Sequence, residues 1–146
     1  MSLFSALSVS ASGMTAERAR AELLVENIAN ADTTRTAEGG PYRRRDVVFQ
    51  SEAVGSPFSS LLAGSMEGPP QGVAVSQIVV DTSEPDRRYM PGHPDADKDG
   101  YVAYPKVNPA EDMVDLLGAS RSYQANVSAI SATKDMIQRS IDLLKA

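Results

Sequence analysis

Two segments of this chain carry an apolar stripe at helical spacing, one at each end, and the sequence between them carries no such stripe. From about Leu3 to Asn30, a seven-residue pattern puts Phe4, Ala11, Arg18 and Val25 at one seam position and Leu7, Met14, Ala21 and Ile28 at the other. Arg18 is the single polar member, so the pattern predicts an amphipathic helix with one apolar seam. This stretch has no Pro, and Gly13 is its one helix-weakening Gly. At the rise of an α-helix it would be about 42 Å long. A second pattern begins at Asn108. Asn108 is a good N-cap, Pro109 suits the first helical position, and Glu111 supplies a carboxylate in the first turn. One seam position is held by Met113, Ser120, Val127, Lys134 and Ile141, the other by Leu116, Tyr123, Ile130, Ile137 and Leu144. This helix would be about 55 Å long.

The middle reads differently. Asp46 to Gln50, Val73 to Asp81 and Tyr101 to Tyr104 are β-rich and bounded by Gly, Pro and Asp, which predicts short strands. Residues 51–72 have no clean period and several breakers, and read as a loop that Phe58, Leu61 and Leu62 could tack down. Arg87 to Asp99 is a second turn-rich stretch, with Pro91 and Pro94. The expected fold is therefore α+β: long N- and C-terminal helices packing as a coiled-coil-like pair, with a small β-rich middle portion. The expected divisions are 1–30, 31–108 and 109–146. A compact middle of that size is only about 30 Å across, too short to bury either helix along its length.

Composition sharpens this. Aromatic residues are 5% of the 146, there is no Trp, and Ala and Ser fill much of the chain. A rich self-contained core is not expected from such material, because apolar burial is the main favourable term in folding. The net charge of -5 has both signs interspersed, which argues against a nucleic-acid partner. The short run Arg43-Arg44-Arg45 reads as a solvated loop or strand edge. The absence of Cys excludes disulfides, thiolate nucleophiles and Cys-based metal sites. Ser at 2, 5, 8, 10 and 12 interrupts what would be the apolar core of a secretory signal. No stretch has the length of a membrane-spanning helix, so no direct membrane insertion is expected.

Candidate chemistry is sparse. Asp95, Asp97 and Asp99, followed by Gly100, match the first half of an EF-hand loop, and a calcium-binding module is the alternative function they raise. The second half fails: the twelfth position is Lys106 where a bidentate Glu is needed, and Pro94 and Pro105 bracket the loop. A polar turn with Gly100 at positive φ is the plainer reading. His93 is the one histidine; no Gly-x-Ser-x-Gly elbow exists to make a hydrolase of it. There is no phosphate-binding fingerprint; Gly39-Gly40-Pro41 is a turn, and Pro41 removes an amide that a phosphate cradle would use. No catalytic, cofactor or metal residue is assigned. The expected interface residues are Leu7, Met14, Ile28, Leu116, Tyr123, Ile130, Ile137 and Leu144. Asn27 and Asn30 are expected to secure the turn leaving the first helix through bonds to backbone.

Several blocks match a known family. Asn27 to Thr33 (NIANADT) is similar to the segment that ends the N-terminal helix in flagellar rod and hook proteins. Gly39 to Arg44 with Val47 to Phe49, Tyr89 to Asp97, Gly100 to Pro105, Ala119 to Asn126, and Lys134 to Met136 follow in order. Together they resemble the flagellar basal-body rod proteins, and within the rod and hook family of axial proteins a proximal-rod subunit rather than a distal-rod or hook one. The resemblance covers all but residues 51–72. It departs at the loop-to-helix junction, where Asn is expected in place of Lys106 and a bulkier residue near Pro109. It implies a non-enzymatic structural subunit without cofactors, whose terminal helices line the inner tube of an axial structure. It also implies export through the flagellar type III apparatus without a cleaved signal. The partners would be copies of the chain and neighbouring rod proteins. The location would be the basal body, where the periplasm-spanning rod transmits rotation.

Overall fold

The computed structural model describes residues 3–54 and 70–145. Phe58, Leu61 and Leu62 lie outside the described residues, as does most of the 51–72 stretch. The fold is α+β. Helix α1 (Leu3–Ala29) is followed by strands β1 (Arg45–Ala53), β2 (Gln71–Val80), β3 (Asp86–Tyr89) and β4 (Tyr101–Tyr104), and helix α2 (Pro109–Lys145) closes the chain. The two helices pack together, and the strands form two separate two-stranded sheets, β1 with β2 and β3 with β4.

Each helix starts and stops for local reasons. The side-chain oxygen of Asn108 accepts the Ala110 amide at 3.2 Å, and its carbonyl accepts the Asp112 amide at 3.0 Å, so the first turn of α2 is capped by the residue before Pro109. Glu111 and Asp112 lie in that turn, where the helix dipole favours negative charge. At the end of α1, the Asn30 amide shares the carbonyls of Glu26 and Asn27, and the chain then turns through Thr33, whose amide bonds the Asn30 carbonyl.

Contacts divide the chain into two compact units. One contains residues 1–19, 48–77 and 119–146; the other contains 20–47 and 78–118. In the first unit, small residues set the packing. Gly13 faces Asn126 so closely that a Cβ would stand 3.0 Å from Asn126 Nδ2. Ala16, Ala119 and Thr133 are buried. Gly72 on β2 is buried against Ser12 and Val54, where a Cβ would collide with both side chains. The Ser12 hydroxyl accepts the Val73 amide at 3.1 Å and donates to the Val9 carbonyl at 2.7 Å, tying α1 to β2.

In the second unit the core is formed by Leu24, Tyr42, Val102 and Tyr104 around buried Asn27 and Asp112. Strand β4 alternates, with Val102 and Tyr104 inward; complete burial of Val102 contributes about 1.5–3 kcal/mol. β3 pairs antiparallel with it, Asp86 opposite Tyr104 and Tyr89 opposite Tyr101. The sequence reading placed residues 87–89 in a turn-rich stretch. Asp-Arg-Arg-Tyr has no apolar alternation and all four residues are exposed, so this edge strand leaves no hydrophobic signal. Its pairing depends on the turn at Gly100, which has φ +81°. There a Cβ would approach Tyr89 Cε2 to 2.9 Å and Pro91 Cβ to 3.2 Å.

The fully buried positions of the helices lie beside the apolar seam read in the sequence, of which Leu7, Met14, Ile28, Leu116, Ile130 and Ile137 are half-buried. In α2, Asp112, Ala119 and Thr133 are buried and Asn126 half-buried, a strict seven-residue repeat one position before the Met113 series. In α1, Ala16, Leu24 and Asn27 are buried and Gly13 is half-buried, while Phe4, Ala11, Arg18 and Val25 are exposed. Small and polar residues allow close approach, so they win the inner face over bulkier neighbours.

Gly100→Ala is expected to destabilise the chain by about 1–3 kcal/mol, from positive φ together with the contact to Tyr89. Urea unfolding followed by circular dichroism measures it; a change under about 0.5 kcal/mol would contradict the role given to Gly100.

Candidate functional site

The most constrained cluster in the second unit surrounds the end of α1. Asn27 has 0% exposure. Its Nδ2 donates to the Arg45 carbonyl at 2.9 Å, while its Oδ1 accepts the Arg45 amide at 3.0 Å and the Tyr42 hydroxyl at 2.9 Å. One carboxamide thus closes both backbone groups of the first residue of β1 and a buried phenol. Burial raises the Tyr42 pKa above its ordinary value, and the Glu26 carboxylate adds to the shift. Arg45 pairs with Glu26 at 3.0 Å and lies 5.9 Å from the Tyr42 ring centroid. Asn30 bonds more locally: Nδ2 donates to the Glu26 carbonyl at 2.9 Å, and Oδ1 accepts Thr33 Oγ1 at 3.1 Å.

A second polar contact joins the same neighbourhood to α2. Arg44 places a terminal nitrogen 2.8 Å from Oδ1 of Asp112, whose side chain is 1% exposed, and 3.6 Å from Asp46. Oδ2 of Asp112 and Nε of Arg44 are buried with no hydrogen-bond partner among the described residues. Burial pushes the Asp112 carboxyl up, Arg44 pulls it down, and Asp46, Asp115 and Glu111 add to the rise. Of the three arginines in the 43–45 run, two are therefore held by carboxylates rather than simply solvated. A run of like charges does not reveal in sequence which members fold inward.

The residues singled out for chemistry are engaged otherwise. Asp97 Oδ1 accepts the amides of Asp99 and Tyr101, at 3.0 and 2.8 Å. Asp95 accepts the Thr34 hydroxyl at 2.8 Å and lies 3.7 Å from Arg35. His93 Nδ1 accepts the Asp95 amide at 3.1 Å, and its ring lies 6.4 Å from that of Tyr104. Among the described residues no group of three His, Asp or Glu is placed to hold a metal ion. No described helix is long and apolar enough to cross a membrane.

The expected interface residues divide by exposure. Leu7, Met14 and Ile28 on α1 and Leu116, Ile130 and Ile137 on α2 are half-buried. Tyr123 is 37% exposed and Leu144 is 87% exposed. Beside them stand large apolar side chains open to solvent: Phe4 at 74% and Val25 at 53% on α1, with Met113, Val114, Leu117, Met136, Ile141 and Leu143 on α2. The β1–β2 ribbon adds Val48, Phe49, Val73, Val75, Ile78, Val79 and Val80. Sequence reasoning did not mark the ribbon as a surface, since valines in a strand read as core.

Comparison with known proteins adds a separate line. A family model described as "Flagellar basal body rod FlgEFG protein C-terminal" matches residues 98–143, which span the Gly100 turn, β4 and nearly all of α2. The flagellar basal-body rod protein FlgC of Bacillus subtilis is 44% identical over 152 aligned positions, covering 99% of this chain and all of the relative. That of Borreliella burgdorferi is 40% identical, covering 99% of each. That of Salmonella typhimurium is 34% identical, covering 98% of each.

Asn27→Ala is expected to cost about 2–4 kcal/mol, since it leaves the Tyr42 hydroxyl and the Arg45 amide without their acceptor. Urea unfolding reads this directly, and a loss below about 1 kcal/mol would mean that the cluster carries little of the stability. The pH dependence of Asp112 has a definite sign. Its folded pKa lies above the reference 3.8, so its favourable contribution is present below that value and is lost as the pH rises through the folded pKa. Asp112→Asn removes this dependence. The stability difference should therefore move in favour of the variant between about pH 3 and pH 6, and a constant difference across that range would refute the assignment.

Proposed function

The chain belongs to the FlgC family of flagellar basal-body rod proteins, a structural component of the flagellar basal body, and we propose that it polymerises there through its terminal helices. In this reading it acts as a mechanical part and not as an enzyme. It joins copies of itself and neighbouring rod proteins, and carries rotation across the periplasm. It reaches its place through the flagellar type III export apparatus without a cleaved signal.

The observation that carries the reading is the outward placement of large apolar side chains on both helices. Phe4 and Val25 on α1, and Met113, Ile141, Leu143 and Leu144 on α2, are exposed in the isolated chain. Apolar surface of that extent on two long helices is costly in water and becomes favourable once another helix covers it. Leu7, Met14, Ile28, Leu116, Tyr123, Ile130, Ile137 and Leu144 are the proposed contacts, with Asn27 and Asn30 holding the exit of α1. A contact between different faces of successive subunits does not close on itself and extends into a tube. Packed helices across those contacts resist bending and twisting because close-packed interiors deform little. The division into terminal assembly helices, 1–30 and 109–146, and a middle region, 31–108, belongs to the same proposal.

The isolated chain has few large buried side chains among its described residues, which supports a further part of the reading: the helices are incompletely ordered before assembly and gain order from their neighbours.

Leu144→Glu is expected to abolish rod assembly and motility when it replaces the wild-type chain in cells. It should shift the melting of the purified monomer by less than about 0.5 kcal/mol, because the side chain touches little within its own chain. Normal motility with Leu144→Glu and with Phe4→Glu would sink the reading. Circular dichroism of dilute monomer should give less helix than the 27 and 37 residues of α1 and α2. Full helicity with a sharp cooperative melt would remove the ordering-on-assembly part alone.

A further inference from the structure

Within the second unit, Arg43, Arg44 and Lys106 border a small cavity of about 40 Å³ together with Tyr42, Asp81 and Ser83. The space exceeds what one water requires and is on the scale of a carboxylate head group. What it can accept follows from how its lining groups are already engaged. Asp81 accepts the amide and the hydroxyl of Ser83, both at 2.8 Å. Those bonds, with smaller contributions from Lys106 and Arg44, hold its carboxyl below the ordinary range, so it stays ionised and occupied by its own turn.

The cations are less committed. Arg43 is exposed and donates one long bond, 3.3 Å, to the Asp81 carbonyl; among the described residues it has no ion pair. Lys106 is exposed and, among the described residues, has neither a hydrogen bond nor an ion pair. Arg44 is fixed by Asp112 and keeps a buried Nε that lacks an acceptor. Arg44 is matched by Asp112, so Arg43 and Lys106 are the two cations that stand against the one lining carboxylate, Asp81, whose oxygens are already bonded by Ser83. A local positive excess of this kind is matched by an acid and opposes another cation.

We propose that this cavity is a docking point for an acidic side chain of another rod subunit, with Arg43 and Lys106 as the exposed donors and Arg44 as the anchored cation behind them. Arginine suits this because its planar fork can hold a carboxylate through two nitrogens. The proposal rests on the assembly reading only for the origin of the acid. The affinity of the cavity for a carboxylate is a property of the single chain and is measured without assembly.

The test is a titration of the isotope-labelled full-length monomer with a capped tetraglutamate peptide at low salt, followed by amide chemical shifts. Shifts should concentrate at residues 42–44, 81–84 and 106. Lys106→Gln and Arg43→Gln should each weaken binding about two- to fivefold, with unchanged thermal melting. Lys98→Gln, which removes an exposed cation outside the cavity, should leave the affinity as it was. Three results would overturn the proposal: equal weakening by Lys98→Gln, which would mean a diffuse field; inorganic phosphate binding as tightly as the peptide, which would mean a general anion site; or shifts centred elsewhere. None of them bears on whether Leu144→Glu blocks assembly, so the two readings fail separately.

Discussion

A single buried carboxamide connects the parts of the second unit. Asn27 sits in the last turn of α1 and is bonded to both backbone groups of Arg45 and to the Tyr42 hydroxyl. Removed from water, those groups would each cost free energy unless paired, and Asn is the residue that offers a donor and an acceptor on one short side chain. The connection from α1 to β1 is polar where most cores are apolar, and its specificity comes from directionality. A Leu at this place could fill the volume but could not define where β1 begins. Asn30 acts on a shorter range, returning to the Glu26 carbonyl and receiving Thr33, so the chain reverses before it reaches Tyr42.

The same preference for fit over grease governs the helices. Gly13 against Asn126, the burial of Ala16 and Ala119, and the bonding of Ser12 to the Val73 amide are features of small residues. The seven-residue repeat was legible, and so were both helix boundaries to within a residue, because capping by Asn108 and Pro109 is local chemistry. Which face turns inward was not legible from hydrophobicity. Asp112, Ala119, Asn126 and Thr133 would score poorly as a core, yet they are the covered positions. Close approach rewards small volume and matched hydrogen bonds. A hydropathy pattern registers neither, and the bulky residues it selects, such as Leu7, Met14, Leu116 and Ile130, are half-buried beside those positions.

The middle of the chain shows where else the sequence was readable. Residues 101–104 read as a strand because they are β-rich and lie between Gly100 and Pro105; the reading of β1 fell short at both ends, and that of β2 began at Val73 and ran to Asp81 against Gln71–Val80. The partner of β4 was hidden, since Asp86, Arg87 and Arg88 look like a loop until the Gly100 turn folds them back. The Asp95 to Asp99 cluster resembled a cation loop because Asp and Gly serve both metal loops and plain turns. Spacing cannot separate the two; in the structure Asp97 accepts two loop amides and Asp95 accepts the Thr34 hydroxyl, bonds that suit a polar turn.

Asp112 then explains a feature that stability alone would not select. A carboxylate that is 1% exposed, with one oxygen unpaired, is held at a cost that Arg44 offsets only in part. An apolar pair in place of both Asp112 and Arg44 could be accommodated without that cost. It would also tolerate sliding between the first turn of α2 and the chain leaving α1, whereas a carboxylate that must reach Arg44 tolerates one arrangement. In a subunit whose larger apolar side chains face outward, relative position matters more than depth of core. Within the second unit, the polar contacts at Asn27 and Asp112 fix where the chain entering β1 meets the end of α1 and the first turn of α2, beside a modest core around Leu24, Val102 and Tyr104.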